Sequence, residues 1–149
     1  MSAEPVADPR RRLRLAYLTA IYPKGSHTFI RREIHEMERR GHHVMRLAVR
    51  SSGEALADPA DVEEAEKTTV CLEVPRSQLV IGALVTFLRS PASAIRALGV
   101  MFEMGQASHR GLLRHVAYLV EAAYFTHRLR RERIEHIHAH FGSHAAAVA

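Results

Sequence analysis

Short stretches that are apolar almost throughout alternate along the chain with longer ones in which apolar residues recur every three or four positions. LRLAYLTAI, Leu13 to Ile21, is of the first kind and suits a strand buried on both faces of a parallel sheet. Ser26 then stands where a helix cap belongs, and Ile30, Ile34 and Met37 follow at spacings of four and three. Gly41, just past Arg39 and Arg40, supplies the stop, so the spacing predicts a helix of about four turns. HVMRLAV, His43 to Val49, reads as a second strand, and the three elements make a β-α-β unit with a right-handed crossover.

Farther on, Glu54, Asp58, Asp61, Glu63, Glu64 and Glu66 form an acidic stretch that reads as a solvated loop and helix turn. TTVCLEV, Thr68 to Val74, predicts a short third strand ended by Pro75. Helical spacing returns over Gln78 to Leu88, Pro91 to Met104 and Gly111 to Arg131, the last with Leu112, Val116, Leu119, Val120 and Ala123 on one broad face. RIEHIHAHFGSHAAAVA gives a strand from His136 to Phe141, a Gly142-Ser143 turn and the start of an Ala-rich helix. Strands alternating with helices predict an α/β fold, a Rossmann-like parallel sheet with helices on both faces. Residues 1–12 read as a polar arm and 13–149 as one domain. The final Ala-rich run spans barely more than one turn, so the expectation is a domain incomplete at its carboxyl end.

Composition narrows the classes. With 149 residues, 47% apolar and 6% aromatic, the chain is globular and has room for one real core. The net charge of +5, with eleven histidines besides, suits phosphorylated ligands, an anionic membrane face or nucleic acid. No aromatic platform or nucleic-acid motif accompanies it, so no nucleic-acid partner is expected. Cys71 is the single cysteine, which excludes an intrachain disulfide and a multi-cysteine metal site and points to a reducing, cytoplasmic setting. Its own role reads as a small buried apolar residue. The longest apolar run, Leu79 to Leu88, has ten residues where a membrane-spanning helix needs roughly 20. The basic residues from Arg10 to Arg14 imitate the start of a signal peptide, but Tyr22-Pro23 follows where small cleavage-site residues should stand.

Two places offer chemistry, and both follow a strand, where open parallel sheets hold ligands. In KGSHTF, Gly25 permits close backbone approach, and the N–H groups after Ser26 could receive an anion or sugar hydroxyls. Neither G-x-G-x-x-G nor G-x-x-x-x-G-K-[ST] is present, so no dinucleotide cofactor and no P-loop is expected. In HIHAHFG the alternation sends His136, His138 and His140 to one face of the strand. Zinc is set aside on two grounds. Histidines spaced by two on a buried central strand would crowd the next layer, and neither a nearby acid nor an H-E-x-x-H pattern is visible. A neutral imidazole instead exchanges hydrogen bonds with hydroxyls, and His140, the last of the three, falls nearest the ligand crevice. His136 and His138 read as hydrogen-bonded core or rim residues.

LRLAYLTAIYPKGSHTFIRREIHEMERRGHHVMRLAVR and AYFTHRLRRERIEHIHAHFGSHAAAVA together resemble the amino-terminal half of retaining glycosyltransferases of glycosyltransferase family 4, of GT-B architecture, and most nearly members that assemble bacterial exopolysaccharides such as colanic acid. The resemblance implies a first, acceptor-side domain with strand order 3-2-1-4, and a carboxyl-terminal donor-binding domain that this chain lacks. It implies transfer of a sugar from a nucleotide-sugar donor, with retention, to a polysaccharide or lipid-linked acceptor, without a cofactor or metal. By that likeness Gly25, Ser26, His27 and Thr28 lie on the loop facing the cleft, and His140 matches the second histidine of the family's His-Ala-His, beside the transferred sugar. His27 departs from the family, which commonly has Glu in Ser-Glu-Thr-Phe, and only Gly25 stands where many members carry paired glycines. Arg31 and Arg32 are candidates for steering an anion, a lipid diphosphate or an anionic membrane surface. The family's Glu-x7-Glu segment belongs to the missing half, so this chain alone is expected to be inactive and located in the cytoplasm, at most peripheral to the inner membrane face. The other reading is a non-catalytic Rossmann-like or flavodoxin-like binding module.

Overall fold

β1 (Arg14–Ile21) and β2 (His43–Arg50) are buried through most of their length because each is covered on both sides. The structure, a computed structural model, describes residues 11–107 and 112–140. β3 (Thr68–Val70) pairs with β2, and β4 (His136–Ala139) pairs with β1, so the order is β3-β2-β1-β4 and every pair is parallel. This is the order that the glycosyltransferase resemblance implies. Leu18 lies opposite both Leu47 and Ala139 in register.

Alternation along β1 and β2 divides their side chains between two cores. Ala16, Leu18, Met45, Leu47 and Val49 turn to one face and meet Tyr124 and Phe125 of α5 (Leu112–Arg131), with Cys71 beside them. Tyr17, Val44 and Ala48 turn to the other and meet Ile30 and Ile34 of α1 (Thr28–Arg39). Helices therefore cover both faces of an α/β sheet, as the pattern predicts. Each fully buried Leu or Ile contributes roughly 1.5–3 kcal/mol.

α1 ends as its sequence predicts. Gly41 takes a positive φ of 87°, its N–H donates to the Glu38 carbonyl at 2.9 Å and that of His42 to the Met37 carbonyl at 3.1 Å. Its beginning differs from the expectation. Gly25–His27 form a 3-10 turn, His27 takes the cap position, and the helix start has no side-chain cap bond, so Ser26 is exposed and does not cap. The extra turn moves the helix start two residues past Ser26.

The acidic stretch is also not simply solvated. It forms α2 (Pro59–Lys67), started by the Asp58 carboxylate, which accepts from the Ala60 N–H at 2.9 Å. Asp61 and Glu64 on this helix are buried. Arg46, in the middle of β2 and 5% exposed, donates to both Glu64 carboxylate oxygens at 3.0 Å, and also to Glu38 on α1. Tyr22 Oη donates to Glu64 at 2.8 Å, and the His35 ring nitrogen lies 2.9 Å from its other oxygen. Burial alone would raise the Glu64 carboxyl, but the bonds from Arg46, His35 and Tyr22 overcome it and hold the group at about 2.

The third strand is shorter than predicted: after Val70 the chain turns into a 3-10 segment, Cys71–Glu73, that carries Cys71 into the core. Burial, with Glu121 adding, pushes that thiol up to about 12, so it remains protonated and unreactive. α3 (Arg76–Arg89) and α4 (Pro91–Ala107) pack with α5. Gly82 allows the close approach, since a Cβ there would lie 3.1 Å from the Tyr124 ring. No single described helix is long and apolar enough to cross a membrane. Most of the polar arm, Gly111, Phe141, the Gly142-Ser143 turn and the Ala-rich run lie outside the described residues.

The Arg46–Glu64 pair generates a stability prediction. Glu64→Ala strands the Arg46 charge with only the part-exposed Glu38 and should cost about 3 kcal/mol. Because Glu64 is held at about 2 against an ordinary 4.5, its contribution is complete above pH 4.5 and is lost as pH falls through about 2. Thermal melts across that range should show the wild type losing stability that Glu64→Gln has already lost. Parallel curves for the two proteins would refute the assignment.

Candidate functional site

The three strand histidines share the α1 side of the sheet with Tyr17, but the structure treats them unequally. His136, at the amino end of β4, is exposed, and it lines a groove of about 530 Å3 together with Leu13, Leu15, His42 and His138. His138 and His140 converge with rings 4.6 Å apart. β4 is the edge strand of the described sheet, so these rings stand at a rim and crowd no inner layer.

α1 brings the acid that is not evident beside the histidines in sequence. Glu33 lies 3.6 Å from His140 Nε2 through one oxygen and 4.0 Å from His138 Nε2 through the other. Tyr17 Oη donates to Glu33 at 2.9 Å, and its ring lies 5.1 Å from that of His138 and 5.5 Å from that of His140. Burial and the Glu33 carboxylate together raise the Tyr17 phenol well above its ordinary range, so it stays a donor. Tyr17 thereby orients Glu33 toward the two imidazoles.

The loop after β1 reaches the same place. Gly25 and Ser26 are exposed, and a Cβ on Gly25 would meet nothing within 4 Å, so its backbone is open to a ligand. His27 is half-buried and meets Phe29 edge-on, and Phe29, half exposed, meets His140 edge-on at 5.9 Å. Thr28 begins α1. The two stretches singled out in sequence, KGSHTF and HIHAH, are thus neighbours through Phe29. The basic pair separates. Arg31 bonds Asp58 at 2.8 Å and Asp61 at 2.6 Å and is removed from anion steering, whereas Arg32 is exposed.

His140 is mostly buried, with 11% of its side chain exposed, and its backbone N–H continues the sheet by donating to the Leu18 carbonyl at 3.0 Å. Burial lowers its pKa, the neighbouring His138 lowers it further, and Glu33 acts in the opposite sense. The ring is therefore mainly neutral at pH 7, able to accept at one nitrogen and donate at the other. Beside it the Glu33 carboxylate accepts a hydrogen bond from Tyr17. Such a set binds hydroxyl groups, and it can also hold a cation. The ligating atoms of Glu33, His138 and His140 lie within 4.8 Å of one another. Neighbouring ligands of a tetrahedral zinc are roughly 3.3 Å apart, which small rotations would reach. The two sequence grounds against zinc, crowding and the want of an acid, do not survive this geometry.

Sequence reasoning missed Glu33 and Tyr17. A tyrosine inside an otherwise apolar strand needs a partner for its hydroxyl, and Glu33 falls one turn after Phe29 on the helix that crosses over that strand, so a signal was present. No family model, curated protein or solved structure matches this chain. The fold itself defines the class: a parallel α/β protein of Rossmann-like form, with a histidine-carboxylate cluster at the carboxyl end of β4, beside the middle of β1.

The arrangement predicts a titration. His140 should titrate below the ordinary histidine value of 6.5, and Glu33→Gln, by deleting a raising influence, should move it lower still. Imidazole NMR over pH 4–8 reads the direction of both shifts. An upward shift in Glu33→Gln would contradict the contact.

Proposed function

We propose that this chain is the acceptor-side half of a retaining glycosyltransferase of GT-B architecture, resembling glycosyltransferase family 4, which transfers a sugar from a nucleotide sugar to a polysaccharide or lipid-linked acceptor. The observation that carries the reading is the convergence of the His138–His140 strand end, Glu33 and the Gly25–Thr28 loop at one carboxyl-terminal rim of the sheet. In that setting His140, neutral and largely desolvated, would hold a hydroxyl of the transferred sugar, and Glu33 would take acceptor or sugar hydroxyls. His27, in place of the family's glutamate, would offer the acceptor a nitrogen donor or acceptor where relatives offer a carboxylate. The nucleotide phosphates need cations from a donor-binding domain, as no phosphate-cradling motif is present. A binding module without catalysis is the alternative that the assay below separates.

The test joins this chain to its donor-binding domain and follows labelled sugar from a nucleotide sugar into acceptor. If His140 bonds the sugar more strongly as charge develops at the anomeric carbon, His140→Ala lowers kcat by about ten- to a thousandfold. His136→Ala, at the far end of β4, should leave kcat within about twofold. A fully active His140→Ala removes the residue from the site. Stoichiometric zinc, lost equally on replacing Glu33, His138 or His140, would favour a metal centre instead.

A further inference from the structure

α3 is apolar on the side that faces away from the domain as well as on the side that faces in. Its inner side is pinned: Gly82 lies against the Tyr124 ring, and the Thr86 hydroxyl donates to the Ala123 carbonyl at 2.9 Å. On its outer side Val80, Ile81, Leu84 and Leu88 are each between 55% and 72% exposed. On a helix of 3.6 residues per turn those four fall within about 100° of arc, a single stripe. α4 repeats the pattern with Ile95, Leu98 and Phe102, which are 47% to 69% exposed at spacings of three and four. Seven large apolar side chains exposed on two consecutive helices need a reason, since scattered ones do not form stripes.

Charge identifies what covers them. Residues 74–102 contain Arg76, Arg89 and Arg96 and not one Asp or Glu, in a chain with sixteen acids. All three arginines are exposed. Glu103, exposed on α4 just after Phe102, is the one acid set against these three arginines among the described residues of the two helices, and the basic excess that remains disfavours a second copy and attracts an anionic surface. An amphipathic helix with an apolar stripe and basic flanks is what lies in the headgroup layer of a bilayer. Neither helix is a span by itself. α3 has 14 residues, about 21 Å at 1.5 Å per residue against a hydrocarbon thickness of about 30 Å. Between α3 and the Pro91–Glu103 part of α4 the direction changes by 115°.

We propose that α3 and α4 form a peripheral docking face for an anionic lipid bilayer, with the two apolar stripes entering the interface and Arg76, Arg89 and Arg96 meeting lipid phosphates. This goes beyond the glycosyltransferase reading and does not depend on it: the face uses none of the residues around His140, and no sugar enters its test. It also moves the expected membrane contact from Arg31 and Arg32 to a different part of the molecule.

Sedimentation with sucrose-loaded vesicles tests it. The chain should pellet with phosphatidylcholine vesicles containing roughly one-third phosphatidylglycerol and remain in solution with phosphatidylcholine alone. Replacing Arg76, Arg89 and Arg96 with Gln should weaken the anionic binding by about fivefold for each charge, about a hundredfold together. A second variant, Ile81→Gln with Leu84→Gln and Leu88→Gln, should lose binding while keeping the wild-type circular dichroism and melting temperature, because those side chains are exposed. No pelleting by the wild type, or equal pelleting by both variants, overturns the proposal. So does concentration-dependent self-association that the Gln variant at positions 81, 84 and 88 abolishes, which would make the face an interface between copies.

Discussion

Arg46 places a full positive charge in the middle of a strand whose other inward-facing residues are apolar, and the α1 side of the fold is organised around neutralising it. An unpaired charge at that depth would cost several kcal/mol, so Glu64 must come from α2 and Glu38 from α1. The same carboxylate takes the Tyr22 hydroxyl from the end of β1 and the ring of His35 from α1. One arginine thus ties together the strand it sits on, both helices above it and the start of the loop that leads to the candidate site.

The consequence for chemistry lies in the rotation of α1. Ile30 and Ile34 drive one side of that helix into the sheet, while Glu38 and His35 reach toward Arg46 and Glu64. With those contacts made, Glu33 has only the direction toward β4, where Tyr17, His138 and His140 receive it. The structural ion pair and the candidate site are therefore two ends of one helix orientation. Buried polar contacts of this kind specify an arrangement even where their net stabilisation is modest.

Much of this was legible in the sequence and some of it was not, for physical reasons. β1, α1 and β2 announce themselves because their burial is local in pattern: continuous apolar runs, then a period near 3.6, then Gly41 where a positive φ is needed. The parallel α/β class follows from that alternation, and the shared face of the histidines follows from the two-residue period of a strand. The acidic stretch misleads because the partners that bury Asp61 and Glu64 lie 18 to 42 residues away, at Arg31, Arg46 and Tyr22, and charge runs without visible partners look solvated. Ser26 misleads because a 3-10 turn and an α-helix start with the same residues. Arg31 and Arg32 look alike in sequence, yet one falls opposite Asp58 and Asp61 and the other faces outward. Glu33 belongs to the site only through the crossover geometry that lays α1 beside β4, which no local pattern encodes.

What remains decisive is whether the rim formed by Glu33, His140 and the Gly25–Thr28 loop holds a saccharide. A crystal structure of the protein with a nucleotide sugar and an oligosaccharide acceptor bound measures that directly. A sugar hydroxyl should lie at a hydrogen-bonding distance of about 2.6–3.2 Å from His140, with Glu33 still accepting from Tyr17. A saccharide bound elsewhere, with the histidine-glutamate cluster filled by a metal ion, would contradict it.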